Sequence, residues 1–121
     1  MFVEYNAHPY GVNIDDCAIR AITLATGKDY FDVMDKLIAV ADEHDWAIDE
    51  LRTIAKYLTL IGWELCELEG HRPTVKQFAE AIADPRIVIV NGHATCTKNG
   101  NTYDTWNPNR YKVNYVFRER K

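Results

Sequence analysis

The stretch that decides the fold is residues 86–106, RIVIVNGHATCTKNGNTYDTW. It begins with Arg86–Val90, a continuous run rich in β-branched side chains, which is typical of a strand buried on both faces. Asn99-Gly100, between Thr-rich flanks, is the strongest hairpin signal in the chain. The stretch therefore predicts a buried strand followed by an antiparallel hairpin, in which His93–Thr97 pairs with Thr102–Trp106.

A two-residue turn at Asn99-Gly100 predicts which side chains share a face of this hairpin. Thr97 then faces Thr102, Thr95 faces Asp104, and His93 faces Trp106. Because side chains alternate with period two, Asp104 lies diagonal to His93, at roughly 7–8 Å between backbones. Asp104 can therefore orient the imidazole of His93. Asn107 is the other polar residue that could orient the imidazole of His93. With a two-residue turn it points to the opposite face of the hairpin, and a three-residue turn would favour Asn107 over Asp104.

Apolar periodicity predicts four helices, all of them ahead of the hairpin. The predicted elements are a helix at about Asp16–Ala25, a helix from Tyr30 to Ala41 capped by Asp29, a helix at about Ala47–Leu60, a strand at Trp63–Leu68, a helix capped by Thr74 and stopped by Pro85, and a last strand at Tyr111–Phe117. Helices first and strands second predict an α+β fold, with N-terminal helices packed on a C-terminal antiparallel sheet. No linker divides the chain, so we expect one domain over residues 1–121.

Composition and charge narrow the functional classes. The chain has 121 residues, 47% hydrophobic and 26% charged, which suits one globular domain with its own core. The formal charge of -4 argues against a dedicated nucleic-acid binder. The basic, aromatic tail over residues 110–121 is interpreted as protection of an edge strand rather than as an RNA-binding stripe. Without a long apolar run or a signal-peptide pattern, we expect no membrane partner and a cytoplasmic location.

The cysteines are odd in number and have no CxxC spacing. The chain contains 3, Cys17, Cys66 and Cys96, which disfavours a disulfide framework and a zinc knuckle. Strand parity places Cys96 on the opposite face from His93, so these two cannot share a metal ion. We therefore expect free thiols and no metal or cofactor.

Cys17 is the candidate nucleophile, because it lies in the first turn of the first predicted helix. A thiol at this position meets the positive end of the helix dipole, which favours the thiolate, and a neighbouring imidazolium lowers its pKa further. If the helix start packs against the hairpin, His93 is the general base, Asp104 orients it, and backbone N–H groups bind the oxyanion. The charges of Asp15 and Asp16 oppose thiolate formation unless these residues point away or cap the helix.

Four short segments carry a resemblance to a known family: Asn13–Ile22, Thr26–Tyr30, Gly92–Ala94 and Tyr103–Trp106. They resemble small papain-like cysteine peptidases, in particular the bacteriocin-processing branch and its small phage-encoded relatives. The resemblance implies a papain-like fold with Cys17 as nucleophile, His93 as general base and Asp104 as orienting acid. Such peptidases usually carry Gln about six residues before the Cys, where this chain has Gly11. Asn13 is the substitute that we assign to the oxyanion.

These residues support three functional hypotheses. The first is a thiol hydrolase that cleaves a peptide, isopeptide or related amide bond of a peptide or protein substrate through an acyl-enzyme on Cys17. The second is a catalytically silent papain-like module, for instance a phage protein that binds a host protein. The third is acyl transfer to an acceptor other than water. Against all catalytic hypotheses stands the simpler interpretation that Cys17 is a small buried hydrophobic residue.

Overall fold

A computed structural model describes residues 1–120 and contains four helices and six strands. In chain order they are β1 (Phe2–Glu4), α1 (Cys17–Thr26), α2 (Tyr30–His44), α3 (Leu51–Leu60), β2 (Trp63–Cys66), α4 (Val75–Ala81), β3 (Arg86–Val90), β4 (His93–Lys98), β5 (Asn101–Asp104) and β6 (Tyr115–Glu119). The predicted α+β class is confirmed. No helix among these residues is both long and apolar enough to cross a membrane.

The strands form one sheet in the order β1-β5-β4-β3-β6-β2. The predicted hairpin is β4–β5, and its register is the predicted one, with Thr97 opposite Thr102. Asn99 and Gly100 both have positive φ, 55° and 82°, which a two-residue hairpin turn of this kind requires. The turn residues and the alternation of side chains were therefore sufficient to predict this pairing.

The sheet is buried on both faces at its centre, as the β-branched run predicts. Ile87 belongs to the larger apolar cluster, with α1, α2 and α3, and Val88 belongs to a smaller one, with Val75 of α4. The N-terminus of α4 has the predicted capping box, in which Thr74 Oγ1 accepts from the Gln77 N–H and the Gln77 side chain accepts from the Thr74 N–H.

Several sequence predictions about the elements were wrong in detail. The second strand of the hairpin ends at Asp104 rather than Trp106, and the strand from Trp63 ends at Cys66 rather than Leu68. The sheet is not wholly antiparallel, because β1, which has no strand signal of its own, pairs parallel with β5. The third helix begins at Leu51 rather than Ala47, since Ala47 is held in a turn by the Glu50 carboxylate. The last strand begins at Tyr115 rather than Tyr111, because Val113 donates its N–H to Pro73 in the segment before α4.

Candidate active site

Three predicted site residues stand at the ends of three elements that meet at one end of the sheet. Cys17 is the first residue of α1, His93 the first of β4 and Asp104 the last of β5. The β4–β5 register brings His93 and Asp104 together at the end of the hairpin opposite the Asn99–Gly100 turn, and α1 packs on β4. Cys17, His93 and Ala94 line the same cleft, and the thiol lies close enough to the His93 side chain and the Ala94 backbone for both to lower its pKa.

The imidazole of His93 is fixed by Asp104. His93 Nε2 lies 2.6 Å from Asp104 Oδ2, and the two side chains are only 10% and 1% exposed. Because Nε2 is engaged with the carboxylate, Nδ1 is the ring nitrogen left for the thiol. The order of groups is thus thiol, imidazole and carboxylate, which is the order that nucleophilic catalysis by a thiol requires.

The electrostatics of this arrangement favour a thiolate beside an imidazolium. Burial lowers the pKa of His93, but hydrogen bonds to Asp104 and Cys17, together with their negative charges, outweigh it and raise the pKa to about 9. Burial raises the pKa of the Cys17 thiol, but its hydrogen bonds to His93 and the Ala94 backbone and the positive charges of His93 and Arg20 outweigh that effect. The pKa of Cys17 is therefore lowered, as a nucleophile needs.

Asp104 has a partner for each carboxylate oxygen. Oδ2 faces His93, while Oδ1 accepts from Arg20 Nη1 at 3.1 Å and from the Thr105 N–H at 2.7 Å. Burial raises the pKa of Asp104, but its hydrogen bonds with His93 and Thr95 and the charge of His93 bring the pKa below its ordinary value. Asp104 is therefore held as a carboxylate in a buried position.

Asp16, directly before Cys17, neither caps α1 with its side chain nor faces solvent. Its Oδ1 accepts from Arg20 Nε at 2.6 Å, and its Oδ2 accepts from the Tyr30 hydroxyl at 2.7 Å. Burial and the bond to Asp16 raise the pKa of Tyr30, which therefore remains a donor. The Asp16 carboxylate therefore points away from the thiol instead of capping the helix, and in this position it does not oppose the thiolate.

A cleft of about 240 Å³ opens beside Cys17 and His93. Its walls combine the apolar side chains of Leu51, Ile54 and Ile89 with the carboxylates of Asp15 and Asp49. Trp106 covers the imidazole, with 4.6 Å between the ring centroids of Trp106 and His93, and remains 42% exposed. A substrate group can therefore reach the thiol from this cleft, while Trp106 shields the His93 ring.

The remaining sequence candidates lie elsewhere. Asn13 is exposed and lines a different cavity with Asn6 and Thr105, so the structure does not bring it into the cleft. Asn107 accepts from the Asn109 N–H. Cys96 is fully buried in the larger apolar cluster, on the opposite side of β4 from His93, as parity predicts. All three cysteines are free thiols, and among residues 1–120 no three His, Cys, Asp or Glu side chains could together hold a metal ion.

Arg20 is the site-related residue that the sequence analysis overlooked. It stands among apolar neighbours in α1, yet its side chain is only 9% exposed. A lone charge on an otherwise apolar helix face requires a buried partner, and Asp16 lies four residues earlier, at the spacing of an ion pair along a helix. This spacing could have predicted the pair of Arg20 and Asp16 from the sequence. The second partner, Asp104, could not be predicted in this way, because it is 84 residues away in the chain.

No protein-family model matches this chain, and no curated protein or solved structure matches it either. The relationship to papain-like peptidases therefore stays a prediction from short motifs. Function has to be inferred from the geometry of the site itself.

Proposed function

We propose that the protein is a thiol hydrolase that cleaves a peptide, isopeptide or related amide bond through an acyl-enzyme on Cys17. The observation that carries this proposal is the arrangement of Cys17 beside His93 in one cleft, with His93 hydrogen-bonded to Asp104. In this arrangement the pKa of the thiol is lowered and the pKa of the imidazole is raised. A papain-like fold and the family role of these residues are part of the proposal.

The proposed reaction has two halves. The Cys17 thiolate attacks the carbonyl carbon of the amide, and a C–S bond forms as the carbonyl oxygen becomes an oxyanion. The His93 imidazolium then gives its proton to the leaving nitrogen, the C–N bond breaks, and a thioester remains on Cys17. In the second half His93 takes a proton from water, which attacks the thioester and releases a carboxylic acid and the thiolate.

The oxyanion is assigned to backbone N–H groups of the first turn of α1. The first N–H groups of a helix have no partner within the helix, and α1 has no side-chain cap that would engage them. They lie next to the attacking sulfur, since Cys17 is the first helical residue. Asn13, the sequence-based candidate, gains no support from its position.

The test is the rate of iodoacetamide alkylation of Cys17 against pH, with each cysteine followed separately by peptide mass. Cys66 is the internal control, because burial raises the pKa of its thiol. We expect fast labelling of Cys17 at pH 6–7, well below the usual thiol pKa of about 8.5, and loss of this fast labelling in His93→Ala. A Cys17 alkylation rate that rises only near the ordinary thiol pKa and is unchanged in His93→Ala would contradict the proposal.

A second experiment separates hydrolysis from its alternatives. With p-nitrophenyl acetate, a hydrolase releases a burst of nitrophenolate, carries an acetyl thioester on Cys17 and turns over in water. If added amines capture the acetyl group in preference to water, acyl transfer is the better description. The silent binding module is favoured by the position of Asn13 outside the cleft, and it predicts no thioester at all.

A further inference from the structure

We infer that Arg20 is a positioning residue for the active site, holding Asp104 toward His93 and keeping the charge of Asp16 off the Cys17 thiol. The second of these roles rests on the proposed function. The first is a statement about the His93–Asp104 pair alone, and it can be tested whether or not Cys17 is a nucleophile.

The guanidinium of Arg20 bridges two parts of the site that are far apart in the chain. Nε donates to Asp16 Oδ1 at 2.6 Å, at the start of α1, and Nη1 donates to Asp104 Oδ1 at 3.1 Å, at the end of β5. The Asp16 and Asp104 side chains are 2% and 1% exposed. Two buried carboxylates without a cation between them would be strongly unfavourable, and the planar guanidinium can donate to both.

Arg20 restricts the rotation of the Asp104 carboxylate. Oδ1 is engaged by Arg20 and by the Thr105 N–H, so only Oδ2 is directed at His93. Rotation of the carboxylate would break these bonds together. The imidazole is thereby held with Nε2 on Asp104 and Nδ1 free for the thiol. Without Arg20, Asp104 keeps its charge and the Thr105 N–H but loses the side-chain donor that helps to fix its orientation.

Arg20 also neutralises the carboxylate nearest in sequence to the thiol. An unpaired Asp16 would raise the pKa of Cys17, since a neighbouring negative charge opposes a thiolate. Arg20 holds one oxygen of Asp16, and the Tyr30 hydroxyl holds the other at 2.7 Å. The positive charge of Arg20 itself also lowers the pKa of Cys17. Removal of Arg20 should therefore shift thiolate formation to higher pH.

The first test is proton NMR of the His93 Nε2–H, in the full chain and again in Cys17→Ala. At pH 7 we expect a slowly exchanging downfield signal from the 2.6 Å contact with Asp104, and its loss in Arg20→Gln. Leu58→Ala is the matched control, because Leu58 is fully buried in α3 and its truncation destabilises the protein without touching the network. If the signal survives in folded Arg20→Gln, the inference is overturned.

The second test is the pH profile of Cys17 alkylation. We expect Arg20→Gln to move the inflection upward by about half a pH unit or more, and the double variant Asp16→Asn, Arg20→Gln to move it back toward wild type. A purely structural role for Arg20 predicts no such rescue. If Arg20→Gln fails to fold, Arg20→Lys, which keeps the charge but lacks the planar fork, is measured in both tests with losses in the same direction expected.

The outcomes of these tests distinguish the inference from the proposed function. An ordinary Cys17 profile in the wild type, together with a His93 signal that depends on Arg20, would refute the thiol hydrolase and leave the positioning role supported. The opposite result would be a reactive Cys17 in the wild type, with a His93 signal and a pH profile of alkylation that are both unchanged in Arg20→Gln. It would support the hydrolase and refute the positioning role.

Discussion

Asp16 turns its carboxylate onto Arg20, one helical turn further along α1, with 2.6 Å between Asp16 Oδ1 and Arg20 Nε. This contact explains how an acidic residue can directly precede a thiol whose pKa is lowered. The negative charge of Asp16 is balanced by Arg20 within a buried ion pair. The same guanidinium also donates to Asp104, and Asp104 is hydrogen-bonded to His93. Six side chains, Tyr30, Asp16, Arg20, Asp104, His93 and Cys17, thus form one continuous polar series.

Replacement of Asp104 by Asn should disable the imidazole. Asp104→Asn removes the carboxylate charge and its charge-assisted hydrogen bond, which together with Cys17 raise the pKa of His93 to about 9, so the pKa should fall toward its ordinary value of about 6.5. Alkylation of Cys17 at pH 6–7 should slow by roughly tenfold or more, since one pKa unit corresponds to a tenfold change in the ionised fraction. NMR titration of His93 and the alkylation rate are the two measurements, and unchanged values in both would remove Asp104 from the proposed mechanism.

Only Cys17 should react in the folded protein at neutral pH. Burial raises the pKa of Cys96 to about 12 and also raises the pKa of Cys66, and Cys96 is fully buried. Intact mass after brief treatment with iodoacetamide at pH 7 should show a single label, which peptide mapping places on Cys17. The same treatment in concentrated urea should label every cysteine. Preferential labelling of Cys66 in the folded state would contradict the charge arrangement described for the site.

The stability of Cys17→Ala should fall as the pH rises. In this variant Asp104 still holds the folded-state pKa of His93 above its unfolded value of about 6.5. A raised pKa contributes stability that is complete below the unfolded pKa and is lost as the pH rises through the folded pKa. Since the pKa of about 9 in the intact site includes the effect of Cys17, the loss in this variant should begin near pH 6.5, be complete before pH 9 and stay below about 3 kcal/mol.

Urea unfolding of Cys17→Ala at pH 6.5 and pH 9 measures this difference. The double variant Cys17→Ala, Asp104→Asn is the control, because His93 then has no carboxylate partner and should show a much smaller slope. Equal slopes in the two variants would mean that Asp104 does not stabilise the imidazolium.

Trp106 should matter to the site more than to the fold. Trp106→Ala uncovers the His93 ring, which it contacts at 4.6 Å between centroids, and lets water compete for the bond to Asp104. We expect alkylation of Cys17 at pH 6–7 to slow several-fold with a small change in Tm, because Trp106 is 42% exposed. Tyr111→Ala is the matched control, since Tyr111 packs edge-on against Trp106 at 5.7 Å and is equally exposed. An equal effect of the two substitutions would indicate general loosening of this surface.

The sequence alone determined those features that depend on neighbouring residues. Asn99 and Gly100 accept positive φ, so they specify a two-residue turn, and the alternation of side chains along β4 and β5 then places His93 and Asp104 on the same side of the hairpin. The capping box at Thr74 was predictable for the same reason, because its two hydrogen bonds join side chains and backbone within one helical turn.

Only the tertiary structure decided which elements meet. The pairing of Arg20 with Asp104 joins residues 84 positions apart and depends on how α1 packs on β4, which no local pattern encodes. The parallel placement of β1 beside β5 likewise depends on a free sheet edge rather than on the three residues of β1 itself. For Asn13, proximity to Cys17 in the chain did not bring its side chain into the cleft. Local sequence specifies turns, caps and register, whereas contacts between distant segments are set by how the apolar faces of the helices pack on the sheet.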